Sequence, residues 1–441
     1  MIISDTLVLF EDDQFTNFLP LIYSRPIFEL RCGIYTVSER IQAMFGQHFA
    51  ICRPHLAPVY GSGHWPLEVL SRSEPITLIN GRTLDIYWIE MLLQGPINTV
   101  YITEDNSGKE ILLGARLSPS LASAILLYLL NQEISLALKE LRRFARLHQR
   151  KARMLTFPWE LIVENGTQIS ADLAIFSKQH GLPNASERPP DVPGLVIKAP
   201  ERVFIHPEAT LGGPLSIDAS DGPVIINAAR IEPFCFIQGP TAIGSGSQIS
   251  SALIRGETTI GAVCRIGGEV EASIIQGYSN KHHEGFLGHS YLGEWVNIGA
   301  MTTNSDLKNT YGTIRIGVEG QGQIDSGVLK LGCFLADHVK LGIGLHLNGG
   351  SVIGTGSNIF GVHFAPKTIP PFTWGGETFH EYRIDSMIDV TRKVMGRRKK
   401  DLSEREEHML REVFAMTRGD RSSMAAAGRS DLLAMEKTLP G

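Results

Sequence analysis

Three of the fourteen histidines fall within eight residues, His282, His283 and His289, inside the segment Asn280 to Ala300. An imidazole with an ordinary pKa of about 6.5 can take a proton from an attacking amine or hydroxyl at neutral pH. The chemistry on offer is therefore general-base activation of a nucleophile. The plainer assignment is that these rings cap strands or line a three-fold axis. Zinc binding has little support, since no His-x-His or Cys-x-x-His set with carboxylate backing accompanies them.

The elements that must position these residues follow from the flanking pattern. Aliphatic residues recur at every sixth position in Leu329, Leu335, Leu341, Leu347, Ile353 and Ile359, often with a small or polar residue next, as in Ala336, Gly342, Asn348 and Gly354. The same beat runs through Ile231, Ile237, Ile243 and Ile249, shifts by one, and resumes at Ile254, Ile260 and Ile266. A period of six suits neither a helix nor an isolated strand; it is the mark of hexapeptide repeats in a parallel β-helix. Each aliphatic is predicted to point inward and to stack on the residue three repeats away. Gly244, Gly261, Gly267, Gly342 and Gly354 are predicted at corners that disfavour a Cβ. The histidine segment interrupts the period, and such interruptions are where solenoids carry function.

The 441 residues allow two or three domains. A net charge of −5 gives no electrostatic reason to expect nucleic acid as a partner. Cys32, Cys52, Cys235, Cys264 and Cys333 are scattered, as expected of buried thiols in a reducing compartment. Asp5, Glu11, Asp12 and Asp13 interrupt any apolar leader, and the run Leu121 to Leu130 is about half the roughly 20 residues of a membrane span. The expectation is a cytoplasmic protein with no membrane partner.

Residues 1–178 read as mixed α/β, with strands at Leu7 to Phe10, Ile76 to Ile79 and Thr99 to Thr103 and a helix over Thr36 to Phe45. Ser118-Pro119 opens a helix predicted to reach into Arg142 to Met154, with the basic run between Lys139 and Arg153 as its solvated face. Prolines 183, 189, 190, 193 and 200 mark a linker over 179–200. The β-helix is expected over 201–375. A helical tail follows over 376–441, with a capping box at Ser403 and Glu406.

Val296-Asn297-Ile298-Gly299-Ala300 stands as the same five residues in the acetyltransferase half of the bifunctional bacterial enzymes that make UDP-N-acetylglucosamine from glucosamine-1-phosphate, and the whole segment resembles that family. Leu9-Phe10-Glu11-Asp12, Tyr23-Ser24-Arg25-Pro26, Glu29-Leu30-Arg31-Cys32-Gly33, Gly285 to Ala300 and Ser305 to Asn309 resemble, more closely still, a related group described as sugar nucleotidyltransferases. The resemblance implies an α/β nucleotidyltransferase-like domain followed by a left-handed parallel β-helix, assembled as a homotrimer. It implies His283 as the base that deprotonates the acceptor attacking acetyl-CoA. Asn297 would hold the sugar, the backbone at Ala300 would meet the coenzyme, and Arg255 would lie where an acceptor-phosphate arginine does.

The departures are specific. The family's acceptor tyrosine is Phe286, its phosphate lysine has no match near Ala272, and Met301 replaces the glycine after Ala300. Lys281 is the candidate to supply the missing charge. In the N-terminal half no glycine precedes Gly33, so the loop after the first strand is not a glycine-rich phosphate loop; Arg25 and Arg31 are the candidates for phosphate contacts. Asn80-Gly81 stands where a metal-binding aspartate is expected, leaving Asp85 as the displaced candidate for Mg²⁺. Three functions stay open. They are acyl-CoA-dependent transfer to a sugar phosphate or nucleotide sugar, sugar-1-phosphate nucleotidyl transfer in the N-terminal domain, and a catalytically silent trimeric scaffold.

Overall fold

A computed structural model describes residues 5–61, 69, 72–105, 108–361 and 363–426. These divide into two compact units. One comprises the chain through Glu160 except Leu19–Ser24 and Cys32–Ile34; those two segments belong with the other unit, which takes Leu161 onward.

The first unit is built on a six-stranded sheet in the order His48–Ile51, Thr6–Phe10, Ile76–Asn80, Glu110–Leu117, Thr99–Glu104, Arg146–Gln149. Thr6–Phe10 runs parallel to both its neighbours, whereas Glu110–Leu117 is antiparallel to both of its own. Every residue of Thr6–Phe10 and Ile76–Asn80 is buried, which is why these strands read as continuous apolar runs and not as alternating ones. Thr36 caps the helix Val37–Phe45, accepting from the Glu39 amide at 3.1 Å while the Glu39 carboxylate accepts from the Thr36 amide at 2.8 Å. The predicted long basic helix is instead two helices, Pro119–Leu130 and Ile134–Phe144, followed by the edge strand from Arg146. Its basic residues are thus shared between a helix end and a sheet edge, where each strand pairs on one side only.

The second unit is a parallel β-solenoid with three ladders. One has nine strands, from Val203–Ile205 to Thr368–Ile369; a second, branched, has fourteen, and in a third Thr303–Asn304 pairs with His346–Leu347. The hexad residues form its core in the predicted stacking. Ile243 pairs with Ile260, Leu335 with Ile353 and Leu341 with Ile359. Leu329 departs from the pattern. It is 51% exposed, because the repeat resumes only after the excursion that carries the hairpin Arg315–Val318 and Gly322–Asp325; Leu331 is buried instead. The first solenoid strand, Leu195–Lys198, lies inside the proline-rich stretch read as a linker. Beyond Phe379–Glu381 come the helices Ile384–Gly396, Glu404–Met416, with the Ser403–Glu406 capping box, and Arg418–Ala426. Residues 427–441 of the predicted tail lie outside the described residues.

Close approach between coils, not left-handed backbone, explains the hexad glycines. A Cβ on Gly261 would sit 1.9 Å from the Gln276 carbonyl oxygen, and one on Gly267 would sit 2.0 Å from that of His282. Positive φ falls on other positions, among them Gly246, Val263, Tyr278, Trp295, His338 and Gly356. We predict that Gly261→Ala forces adjacent coils apart and lowers stability by about 1–3 kcal/mol, the usual cost of overpacking. A denaturation midpoint equal to that of the unsubstituted protein would show that the coils can spread freely.

Candidate functional site

The strand Asn280–Lys281 ends at a solenoid corner where His282, His283 and Glu284 are exposed, before Phe286–Gly288 begins the next side. The His282 and His283 rings meet edge-on at 5.1 Å. The following coil lies directly against this corner, with the Met301 amide donating to the Glu284 carbonyl at 2.8 Å. His283 and Ala300 therefore stand on successive coils of one corner. Met301 and Ile343 beside them are 63% and 79% exposed, which gives the corner an apolar surface.

Lys281 does not face outward to meet a phosphate. Its side chain enters the coil and is 2% exposed, and Nζ donates to the carbonyls of Gly267 and His283 at 2.7 Å each. Its role on this geometry is to pin the main chain of His283. Burial pulls its ammonium down from 10.5 to about 8, against the opposing charges of Glu284 and Glu269. The unfolded chain then binds the extra proton between those values, so stability rises with pH from about 8 to about 10.5. We predict that Lys281→Met reduces this rise, leaving the part that buried Lys340, also lowered from 10.5, contributes in the same window. Denaturant midpoints compared at the two ends of the window test it, and an unaltered slope in the variant would locate the titration elsewhere.

The other predicted contacts fall on different sides of the solenoid. Arg255 is held by Glu269 at 2.6 Å and lies 3.8 Å from Glu271, which also binds Lys330 at 3.2 Å. Its charge is met by carboxylates. Phe286 is half-buried on that side, its ring over Gly288, where an added Cβ would lie 2.3 Å from the ring. Next to it is a pair missing from the sequence reading: His289 Nδ1 lies 2.8 Å from Asp306 Oδ2, both 14% exposed. Burial opposes the charge on Asp306, yet the His289 hydrogen bond and charge outweigh it and hold the carboxyl below its ordinary range.

Asn297 accepts a 3.3 Å hydrogen bond from the Asn280 side chain, and both line a cavity of about 360 Å³ with Trp295, Lys340 and Arg398. Tyr278, Trp295 and His338 occupy the same corner in successive coils. Tyr278 and Trp295 stack at 4.4 Å and 18°, and His338 lies parallel to Trp295 at 6.4 Å. The sequence does carry a signal for this cavity, because Tyr278 and Asn280 recur as Trp295 and Asn297 one coil later.

In the first unit the strand ends predicted to meet phosphates and metal are closed by internal pairs. Asp12 accepts from Arg82 Nε at 2.8 Å and Nη2 at 2.6 Å, and from the Asn80 amide at 2.8 Å. Glu11 accepts from the Ile27 amide at 2.8 Å and from Arg53 Nε at 3.2 Å. Arg25 is buried and its carbonyl takes Arg53 Nη2 at 2.7 Å, while Arg31 is bidentate to Glu39 at 2.9 and 3.0 Å. Asp85 holds the amide and Nε of Arg153 at 2.9 and 3.1 Å. Among the described residues no group of three His, Cys, Asp or Glu side chains could hold a metal ion. Asp85 is thus engaged by Arg153, and Arg31 by Glu39. Tyr23, Ser24 and Gly33 serve the second unit: Ser24 Oγ donates to Asp337 at 2.6 Å, Tyr23 bonds Glu319, and the Gly33 amide donates to Asn165 at 2.8 Å. All five cysteines are buried thiols, and no described helix is long and apolar enough to cross a membrane.

An α/β sheet domain is followed on the same chain by a hexapeptide solenoid. Residues 7–180 match the family model for sugar nucleotidyl transferases. The chain is similar to the bifunctional sugar-1-phosphate nucleotidylyltransferase/acetyltransferase of Sulfurisphaera tokodaii, with 35% identity over 21% of this chain and 23% of that one. It is also similar to the bifunctional protein GlmU of Acidithiobacillus ferrooxidans, with 30% identity over 40% of each chain. The chain thus matches well under half the length of these curated relatives. Among solved structures, an Arabidopsis UDP-N-acetylglucosamine acyltransferase is 13% identical over 54% of this chain and 98% of its own, with a TM-score of 0.20, a likeness too slight to carry an argument.

Proposed function

We propose that the solenoid unit transfers an acyl group from acyl-CoA, with acetyl-CoA as the donor, to a sugar phosphate or nucleotide sugar, and that His283 is the general base. The observation that carries this reading is the placement of His283: exposed on an interrupted corner, its main chain pinned by buried Lys281, one coil below Ala300. The similarity to bifunctional nucleotidylyltransferase/acetyltransferases supports the same class of reaction.

The step balances simply. The acceptor nitrogen or oxygen attacks the thioester carbonyl carbon as His283 takes its proton, the carbon–sulfur bond breaks, and the proton passes to the departing thiolate. Asn297 holds the sugar and the backbone at Ala300 faces the coenzyme. Arg255 and Phe286, on another side and engaged there, take no part. The reading includes a cytoplasmic homotrimer, the closed assembly that flat solenoid sides favour.

Nucleotidyl transfer is favoured by the family match over residues 7–180 and opposed by the ion pairs that fill the strand ends. A fold of this kind can outlast its activity. The test is to supply acetyl-CoA with a panel of amino-sugar phosphates and nucleotide amino sugars and to follow free thiol. Release that depends on one acceptor is expected. Silence across the panel, with pyrophosphate release from a nucleoside triphosphate and a sugar phosphate, would overturn the reading in favour of the N-terminal unit.

A further inference from the structure

The cavity beside Asn297 has a charge pattern that packing alone does not explain. It lies between the solenoid and the helix Ile384–Gly396, and the residues lining it include Lys340, Arg397 and Arg398 but no Asp or Glu. In a chain with a net charge of −5, three cations gathered without a carboxylate are a local exception. Arg398 Nη2 donates to the neutral amide oxygen of Asn280 at 2.8 Å, and its buried Nε has no hydrogen-bond partner among the described residues. Burial, then the nearby charges of Arg265 and Arg397, disfavours the Arg398 cation. Lys340, which donates to the Trp295 carbonyl, is drawn by burial from 10.5 to about 7. Desolvation of Lys340 and Arg398 beside the exposed Arg397 costs stability that an anion would offset, and perturbed groups lining a cleft are candidates for a binding site.

The remaining walls are aromatic and amide. Tyr278 is half-buried and stacked on Trp295, and Asn280 and Asn297 put hydrogen-bonding groups between the rings and the cations. A volume of about 360 Å³ falls in the roughly 300–1,000 Å³ range of small-molecule sites. Heteroaromatic rings stack on such faces, and phosphates are the anions that paired arginines grip best.

We propose that this cavity binds a nucleoside phosphate, its phosphates against Arg397, Arg398 and Lys340 and its base against Tyr278. That chemistry has two sources: the nucleoside diphosphate of a nucleotide sugar, or the adenosine phosphate end of a coenzyme A thioester. The assignment rests on the proposed acyl transfer only for the choice of probes, because binding is read without turnover.

Calorimetric titration of the full chain with UDP, adenosine 3′,5′-bisphosphate and inorganic pyrophosphate tests it. One of the nucleotides is expected to saturate a single site and to bind more tightly than pyrophosphate. UDP alone would point to the nucleotide sugar, and the bisphosphate alone to the coenzyme. Arg397→Gln and Arg398→Gln are each expected to weaken that binding by about tenfold or more, as for loss of a charge-assisted hydrogen bond. Arg397 is exposed, so its variant reports on binding even where Arg398→Gln disturbs the helix. Tyr278→Leu should erase the advantage of the nucleotide over pyrophosphate. No saturable binding by either nucleotide, or affinities unchanged in both arginine variants, would overturn the site; equal binding of pyrophosphate and nucleotide would overturn the base pocket. A protein that binds UDP yet fails to release thiol would refute the proposed catalysis and leave this site standing.

Discussion

His283→Ala is expected to lower acyl transfer by roughly 10²- to 10⁴-fold, the span general-base catalysis supplies. Its effect on folding should be within about 0.5 kcal/mol, as for other exposed substitutions. Two properties of the corner separate these effects. The His283 side chain is exposed, whereas the main chain beneath it is fixed by the Lys281 ammonium through the His283 carbonyl, a contact that survives removal of the ring. His282→Ala is the matched control, since it removes the neighbouring ring and leaves the same main-chain contact. His289→Ala should behave in the opposite way. It removes the partner of Asp306 at a nearly buried position, so about 1–3 kcal/mol of stability should go with it. If His289→Ala abolishes turnover at unchanged stability while His283→Ala is active, the base is the carboxylate-oriented histidine and the assignment to His283 fails.

What the sequence made legible was whatever repeats. Ile243, Ile260, Leu341 and Ile359 could be placed in the core because each coil imposes the same inward position, so the period itself encodes burial. Leu329 fits the count and yet stands outside, since counting cannot show where an excursion rejoins the coil. Direction and pairing were less accessible. Lys281 has the charge that a phosphate site needs, but only the structure shows its ammonium turned toward two carbonyls. Arg31 and Asp85 have suitable chemistry and are already engaged by Glu39 and Arg153. Tyr23-Ser24 and Gly33, quoted among the segments of resemblance, are anchors: a Cβ on Gly33 would lie 2.5 Å from the Asp172 carboxylate, and its φ of +81° suits glycine. The cavity needed a contact between Asn280 and Arg398, which no local pattern forecasts.

Asp12→Ala is expected to destabilise the first unit by about 3–5 kcal/mol, the cost of leaving one partner of a buried ion pair without the other. The Arg82 side chain is fully buried and Asp12 nearly so, with two hydrogen bonds between them. Removing the carboxylate strands a guanidinium beneath the ends of Thr6–Phe10 and Ile76–Asn80, and also takes away the acceptor of the Asn80 amide. A double variant, Asp12→Leu with Arg82→Leu, should recover much of the loss, because neither charge is then buried alone. Urea denaturation of the single and double variants reads both effects. The result bears directly on nucleotide chemistry in this unit. Recovery in the double variant would identify the pair as a structural contact that apolar packing can replace. Were Asp12→Ala as stable as the unsubstituted protein, Arg82 would have to reach water at the strand ends, and the same opening would admit a phosphate and restore the case for nucleotidyl transfer.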